Sequence, residues 1–126
     1  MPLVRITLRK GKSPEYLRAV ADAVHEALVS QANVPADDRF CVIDEVESDR
    51  MIAHPTYAGA LRSNDVLFIE ITLNAGRTVE IKKALYADIA ARLGATADVR
   101  PDDILISLTE VTKENWSFAK GIATYA

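Results

Sequence analysis

The chain repeats itself, and that repetition constrains its fold more than any other feature. The run Ile6-Thr7-Leu8-Arg9-Lys10-Gly11-Lys12-Ser13 returns at a shift of 65 as Ile71-Thr72-Leu73-Asn74-Ala75-Gly76-Arg77-Thr78. Glu15 returns as Glu80, Ala19 as Ala84 and Leu28 as Leu93. Further on, Val34-Pro35-Ala36-Asp37 aligns with Arg100-Pro101-Asp102-Asp103 at a shift of 66. Each half reads as strand, helix, strand. In the first, Leu3 to Leu8 is strand-like, and Ser13-Pro14-Glu15 has the chemistry of a helix start. Ser13 is an N-cap, Pro14 sits where its missing N–H costs nothing, and Glu15 faces the positive end of the helix dipole. Leu17, Val20, Ala21, Val24, Leu28 and Ala32 then recur at helical spacing, and Phe40 to Val46 reads as a strand.

The second half follows suit. Val66 to Leu73 alternates, with Leu67, Ile69, Ile71 and Leu73 on one face and Val66, Phe68, Glu70 and Thr72 on the other. Thr78 caps a helix whose Ile81, Leu85, Ile89 and Leu93 step by four, and Ile104 to Val111 is the last strand. Two such units, roughly residues 2–46 and 66–111, predict an α+β fold: duplicated β-α-β units forming a four-stranded sheet with two helices on one face. Right-handed crossovers make the strands within each unit parallel. The expectation is one domain over residues 1–126, with Glu47 to Asn64 as a long irregular connection and Met51-Ile52 as a possible short strand in it.

Composition narrows the function classes. The net charge of −3 argues against a nucleic-acid partner, which favours a basic stripe. No apolar run has the length of a membrane span. The single cysteine, Cys41, cannot close an intrachain disulfide and points to the cytoplasm; in a strand it is expected to be a small buried hydrophobe. Two histidines, His25 and His54, with no Cys/His spacing make no metal site, and no cofactor is expected.

The duplication makes one residue distinctive. Pro2 opens the first strand, while its counterpart near Leu67 lies inside the chain. A small second residue favours removal of the initiator methionine, and Pro2 would then carry a free secondary amine. The reference pKa of an α-amino group, about 8, lets modest surroundings make such a nitrogen an acid or a base. Arg77, in the turn before the second helix, can bind a carboxylate in two-pronged fashion beside an amide-rich helix end, or point to solvent. Asp38 lies between the first helix and the second strand, as part of a turn or as a partner of Pro2 that handles water or a proton; Arg39 can pair with it or face water. Trp116, Phe118 and Tyr125 crowd the C-terminal end as a pocket wall or a packing surface. His25 borders the apolar stripe of the first helix, and His54, Tyr57 and Arg62 lie in the long loop, where they could line a pocket.

Taken together, Pro2-Leu3, Val34-Pro35-Ala36-Asp37-Asp38-Arg39-Phe40, Arg62-Ser63, Ala75-Gly76-Arg77-Thr78 and Asn115-Trp116-Ser117-Phe118 resemble the tautomerase superfamily, most closely its malonate semialdehyde decarboxylase branch. The likeness spans nearly the whole chain. It implies that Pro2 is the catalytic amine, Asp38 the carboxylate that handles water or a proton, and Arg77 the binder of a small carboxylate substrate. Trp116 and Phe118, with Tyr125 near them, would form the apolar wall of a homotrimer's site. Some members of the branch carry Arg-Pro-Arg before the second helix, whereas this chain has Asn74-Ala75-Gly76-Arg77, with one arginine. The middle loop also lacks the acidic, glycine-rich run common among the decarboxylases. Three readings follow: a cofactor-free keto–enol tautomerase of a small 2-oxo acid, a decarboxylase or hydratase with a cationic Pro2 and Asp38-activated water, and a non-catalytic binding module.

Overall fold

The computed structural model describes residues 1–125. Strand β1 (Leu3–Arg9) leads to helix α1 (Pro14–Gln31) and strand β2 (Cys41–Val46). Strand β3 (Leu67–Asn74), helix α2 (Val79–Ala97) and strand β4 (Ile104–Val111) repeat the pattern. The sheet order is β2-β1-β3-β4, with β1 parallel to β2, β3 parallel to β4, and the two halves joined by antiparallel β1–β3 pairing. The fold expected from the repeat is the one observed. Val4, Ile6 and Leu8 of β1 and Leu67, Ile69, Ile71 and Leu73 of β3 face the helices and are buried. They meet Val20, Val24 and Leu28 of α1 and Leu85, Ile89 and Leu93 of α2 in one core. Burying a Leu or Ile side chain is worth about 1.5–3 kcal/mol, so the alternation in β3 and the steps of four in α2 lock together. The opposite face of the sheet carries Leu3, Arg5, Val42, Glu70 and Leu105 and is exposed.

The repeat is written into the backbone residue by residue. Ser13 and Thr78 each cap their helix by accepting from the amide three residues on, Tyr16 and Ile81. Gly11 and Gly76 have φ of 122° and 123°, a conformation that a side chain would strain. Asn33 and Asp98 follow the helices in the left-handed region, at φ 57° and 54°. Val4 pairs with Cys41, and Ile69 with Ile106. Both members of the second pair lie 65 residues beyond the first, so the shift stays at 65 through to the last strand. The expected slip to 66 therefore does not occur. Prolines Pro35 and Pro101 occupy non-equivalent places in the two turns, and the strand register makes Asp38, not Asp37, the counterpart of Asp103.

The long connection contains no strand at Met51-Ile52; it forms one-turn helices at Ser48–Arg50 and Tyr57–Gly59. Arg9 organises it, donating to the carbonyls of Ser48, Asn64 and Met51 at 3.2, 3.2 and 2.6 Å. Arg62 donates to the carbonyls of His54 and Tyr57, while His54 Nδ1 accepts from the amides of Thr56 and Tyr57. Asp103 ties the end of the loop down, accepting from Ser63 N and Oγ, both at 2.7 Å.

Candidate functional site

Sheet topology brings Pro2, Asp38 and Arg77 to the same end of the molecule. The start of β1 lies beside the start of β2, because those strands are parallel, and beside the end of β3, because that pair is antiparallel. The turn from β3 into α2 carries Arg77, and the turn from α1 into β2 carries Asp38. His54, Tyr57 and Arg62 belong to the opposite end, near the close of β1 and the start of β3. Arg62 lines a cleft there with Arg9 and Asn64.

Pro2 is buried, and Val4 N donates to Phe40 O at 2.9 Å, fixing the strand that carries it against β2. Asp38 is 9% exposed. Its Oδ2 pairs with the amine of Met1, the residue preceding Pro2, and its Oδ1 is buried with no partner. The counterpart, Asp103, is 1% exposed and fully engaged: Ser63 N and Oγ at 2.7 Å each, and Arg100 Nη1 at 3.4 Å. One repeat thus uses its buried carboxylate to fasten a loop, whereas the other aims it at the start of the chain with an oxygen unused. An unpaired buried polar atom costs about 1–3 kcal/mol, more when charged, so Asp38 is poorly explained as a staple. The turn that holds it is nonetheless rigid. His25 Nε2 donates to Ala36 O at 2.9 Å, and Arg39 pairs with Asp22 at 2.6 Å rather than with its neighbour Asp38.

Arg77 is less free than its sequence position suggests. Nε and Nη2 donate to Ala32 O at 3.0 and 2.8 Å, closing the C-terminal end of α1, and Nη1 donates to Asn74 O at 3.0 Å. Of the five N–H donors of a guanidinium, two remain for a ligand. The charge is thereby fixed in place.

The aromatic residues assemble as a continuous wall. Trp116 and Phe118 stack with centroids 5.4 Å apart and planes 6° from parallel. Phe118 also stacks on Phe40 at 6.0 Å and meets Tyr125 edge-on at 5.6 Å and 84°. The Tyr125 hydroxyl contacts Met1 Sδ. Loss of surrounding water, and then the Asp38 carboxylate, push the Tyr125 phenol above its ordinary value, which places the ring and the carboxylate in one electrostatic neighbourhood. Two residues of this end were not singled out by the sequence. Phe40, 49% exposed, joins the wall, and Asn74 Oδ1 accepts from Trp116 Nε1 at 2.7 Å. Phe40 lies between the turn at Asp38 and the start of β2, outside any helix or strand, so no periodicity marked it; the second needed the fold. Cys41, expected to be buried, is exposed on the edge strand. Beside Pro2, the crevice between α1 and β2 is about 10 Å³, room for one water.

Pro2, the buried carboxylate of Asp38 and the turn that carries Arg77 thus share one end of a duplicated β-α-β sheet. The chain belongs to the tautomerase family of enzymes: one family model described as "Tautomerase enzyme" matches residues 38–119 and a second, of the same description, matches residues 2–61. It is similar to the probable tautomerase YusQ of Bacillus subtilis (strain 168), 38% identical over 98% of this chain and 97% of the relative. Among solved structures, it resembles FG41 malonate semialdehyde decarboxylase inhibited by 3-bromopropiolate. That match is 40% identical with a TM-score of 0.91, covering 98% and 93% of the two chains. The fold also matches a wild-type symmetric trimer of fused 4-OT at a TM-score of 0.81 and 23% identity, over 98% and 97%.

Proposed function

We propose that this chain, after removal of Met1, is a cofactor-free keto–enol tautomerase of a small 2-oxo acid with the Pro2 nitrogen as its working base. The observation that carries the reading is the contrast between Asp38 and Asp103. The repeat that begins with an amine turns one oxygen of its buried carboxylate toward that amine and leaves the other unused. Arg77 binds the substrate carboxylate through its two unused donors. Pro2 takes the proton from the enol oxygen as the C=O bond forms, and delivers it to carbon as the new C–H bond forms, so the substrate is isomerised and the amine restored. Positioned proton transfer of this kind is typically worth about 10²–10⁴ in rate. Trp116, Phe118, Phe40 and Tyr125 exclude water from one side and favour the neutral amine.

One observation favours a second reading. The Asp38 carboxylate lies where it would stabilise a cationic Pro2, and its free Oδ1 can hold and activate a water. With that protonation the outcome is hydration or decarboxylation of a 3-oxo acid, and the structural relative at 40% identity is by name a malonate semialdehyde decarboxylase. We place the protein in the cytoplasm, in keeping with its single cysteine, and in a homotrimer, in keeping with the trimeric structural relative and with β2 and β4 as open sheet edges.

Steady-state turnover of wild type and Pro2→Ala on phenylenolpyruvate-type enols, malonate semialdehyde and halogenated acrylates tests the reading. The expected result is fastest turnover of the enols and a loss of at least about a hundredfold in Pro2→Ala. Preference for malonate semialdehyde selects the second reading. Equal turnover by the two proteins removes both.

A further inference from the structure

The repeat gives the sheet two equivalent ends, and the second has a cleft of its own. The equivalence runs past the strands. The one-turn helix Ser48–Arg50 after β2 and its counterpart Lys113–Asn115 after β4 are again 65 residues apart. At that shift Met51 answers Trp116, Ala53 answers Phe118 and Arg9 answers Asn74. A contact is kept as well: Trp116 Nε1 donates to Asn74 Oδ1 at 2.7 Å, and Arg9 Nη2 donates to Met51 O at 2.6 Å. Where the first end has its aromatic wall, the second has an open cleft of about 520 Å³, lined by Arg9 and Arg62 with Ala53, Pro55, Ser63 and Asn64.

Of the chain's nine arginines, Arg5, Arg18, Arg39, Arg50, Arg92 and Arg100 pair with carboxylates. Arg77, Arg9 and Arg62 have no carboxylate partner among the described residues, and backbone carbonyls hold them instead. Arg9 spends three donors on Ser48, Asn64 and Met51, and Arg62 spends two on His54 and Tyr57. With five donors on each guanidinium, two remain on Arg9 and three on Arg62. A carbonyl fixes a guanidinium without neutralising it, so two half-buried positive charges share one cleft. The carboxylates nearby are engaged elsewhere. Glu47 pairs with Lys10 at 2.6 Å and Asp65 with Lys12 at 2.9 Å, while Asp49 faces Arg50 at 3.9 Å. Asp102 accepts from Leu61 N at 3.0 Å, and Asp103 serves Ser63 and Arg100. A cleft lined by one sign of charge concentrates the opposite ion.

We propose that the Arg9–Arg62 cleft is a second ligand site, which takes a small doubly charged oxyanion, phosphate or a phosphate monoester. Paired guanidinium donors match the edges of a phosphate group, and two cations match its charge. A single carboxylate would leave one cation unneutralised. The site lies at the opposite end of the sheet from Pro2 and stands independently of the proposed chemistry there.

The probes are inorganic phosphate, phenyl phosphate and acetate, titrated by calorimetry at about pH 8, where a phosphate carries nearly two charges. The proteins are wild type, Asn64→Asp and Arg77→Ala, with circular dichroism checking that each is folded. Asn64→Asp puts a carboxylate beside the two arginines and leaves in place the backbone carbonyl that Arg9 uses. Hydrogen exchange locates the binding, because the amides of Gly59 and Arg62 close the loop on Thr56 O and Pro55 O. Wild type should bind phosphate at least about tenfold more tightly than acetate, with slower exchange at Gly59 and Arg62. Asn64→Asp should weaken phosphate by at least about tenfold. Arg77→Ala, at the other end, should leave it within about twofold. Binding of phenyl phosphate as well as phosphate supports the proposal with a phosphorylated small molecule as ligand, and binding of phosphate alone supports it with the free ion. Phosphate affinity no better than that of acetate overturns the proposal. So does phosphate binding that Arg77→Ala removes and Asn64→Asp retains.

Discussion

Alanine at Asp103 and alanine at Asp38 should have opposite consequences, although the repeat makes the two residues equivalent. Asp103 is 1% exposed and accepts two bonds of 2.7 Å from Ser63 and one of 3.4 Å from Arg100. Hydrogen bonds to charged groups contribute about 1.5–3 kcal/mol, and breaking a buried charged pair costs about 3–5 kcal/mol. Asp103→Ala should therefore lose about 3–5 kcal/mol, a large share of the roughly 5–15 kcal/mol that holds a domain together. In urea, with a slope near 2 kcal/mol/M, the midpoint falls by about 2 M. Asp38→Ala removes one ion pair and also an oxygen that had no partner. These changes offset, so its stability should stay within about 1 kcal/mol of wild type, while turnover drops by about a hundredfold or more. Both variants should be unfolded at one fixed protein concentration, since the proposed subunit association would shift the midpoint. Equal destabilisation by the two substitutions would refute the reasoning, because Asp38 would then be a fastener like its twin.

Two further outcomes follow from the same contacts. Arg77→Ala leaves Ala32 O without its partner at the end of α1, so it should cost about 1–3 kcal/mol of stability in addition to weakening carboxylate binding. Thermal melts with and without a carboxylate ligand separate the two effects. The Glu110 carboxyl is held below its ordinary value, chiefly by the Lys82 ammonium at 2.7 Å. A group with a depressed folded pKa binds fewer protons when folded. Its contribution is therefore present above the unfolded value of about 4.5 and is lost as pH falls through the folded one. Acid titration of stability should accordingly be less steep in Lys82→Met than in wild type.

The fold was legible because it was stated twice. A strand pattern or a helix cap read once is a propensity, but Ser13 and Thr78, Gly11 and Gly76, and Leu28 and Leu93 each check the other at a constant spacing. Within the repeat, the slip came from treating Pro35 and Pro101 as equivalent. Proline fixes a dihedral angle, not a register, and the ladder assigned Asp38 to Asp103 instead. Pro2, Asp38 and Arg77 could be placed at one end from topology alone. What sequence could not give was the partner of each group. That Arg77 closes α1 through Ala32, that Arg39 turns to Asp22, and that Asn74 takes the Trp116 indole all depend on side-chain directions at the ends of elements, where no periodicity operates. The Glu47 to Asn64 connection was opaque for a related reason. Its order comes from backbone carbonyls collected by Arg9 and Arg62, and backbone groups leave no trace in sequence.

The proposed chemistry turns on a titratable nitrogen at position 2. Nitrogen-15 NMR of protein labelled at proline tests this directly, since of the chain's five prolines only Pro2 can become an amine. One proline resonance should titrate, and its midpoint should fall when Asp38 is replaced by asparagine, because a nearby carboxylate stabilises the cation. A midpoint well below 7 identifies the resting nitrogen as the tautomerase base, and one near 9 as the cation of the second reading. Five amide-like resonances with no titration, together with an intact mass that retains Met1, would contradict a catalytic Pro2 in either form.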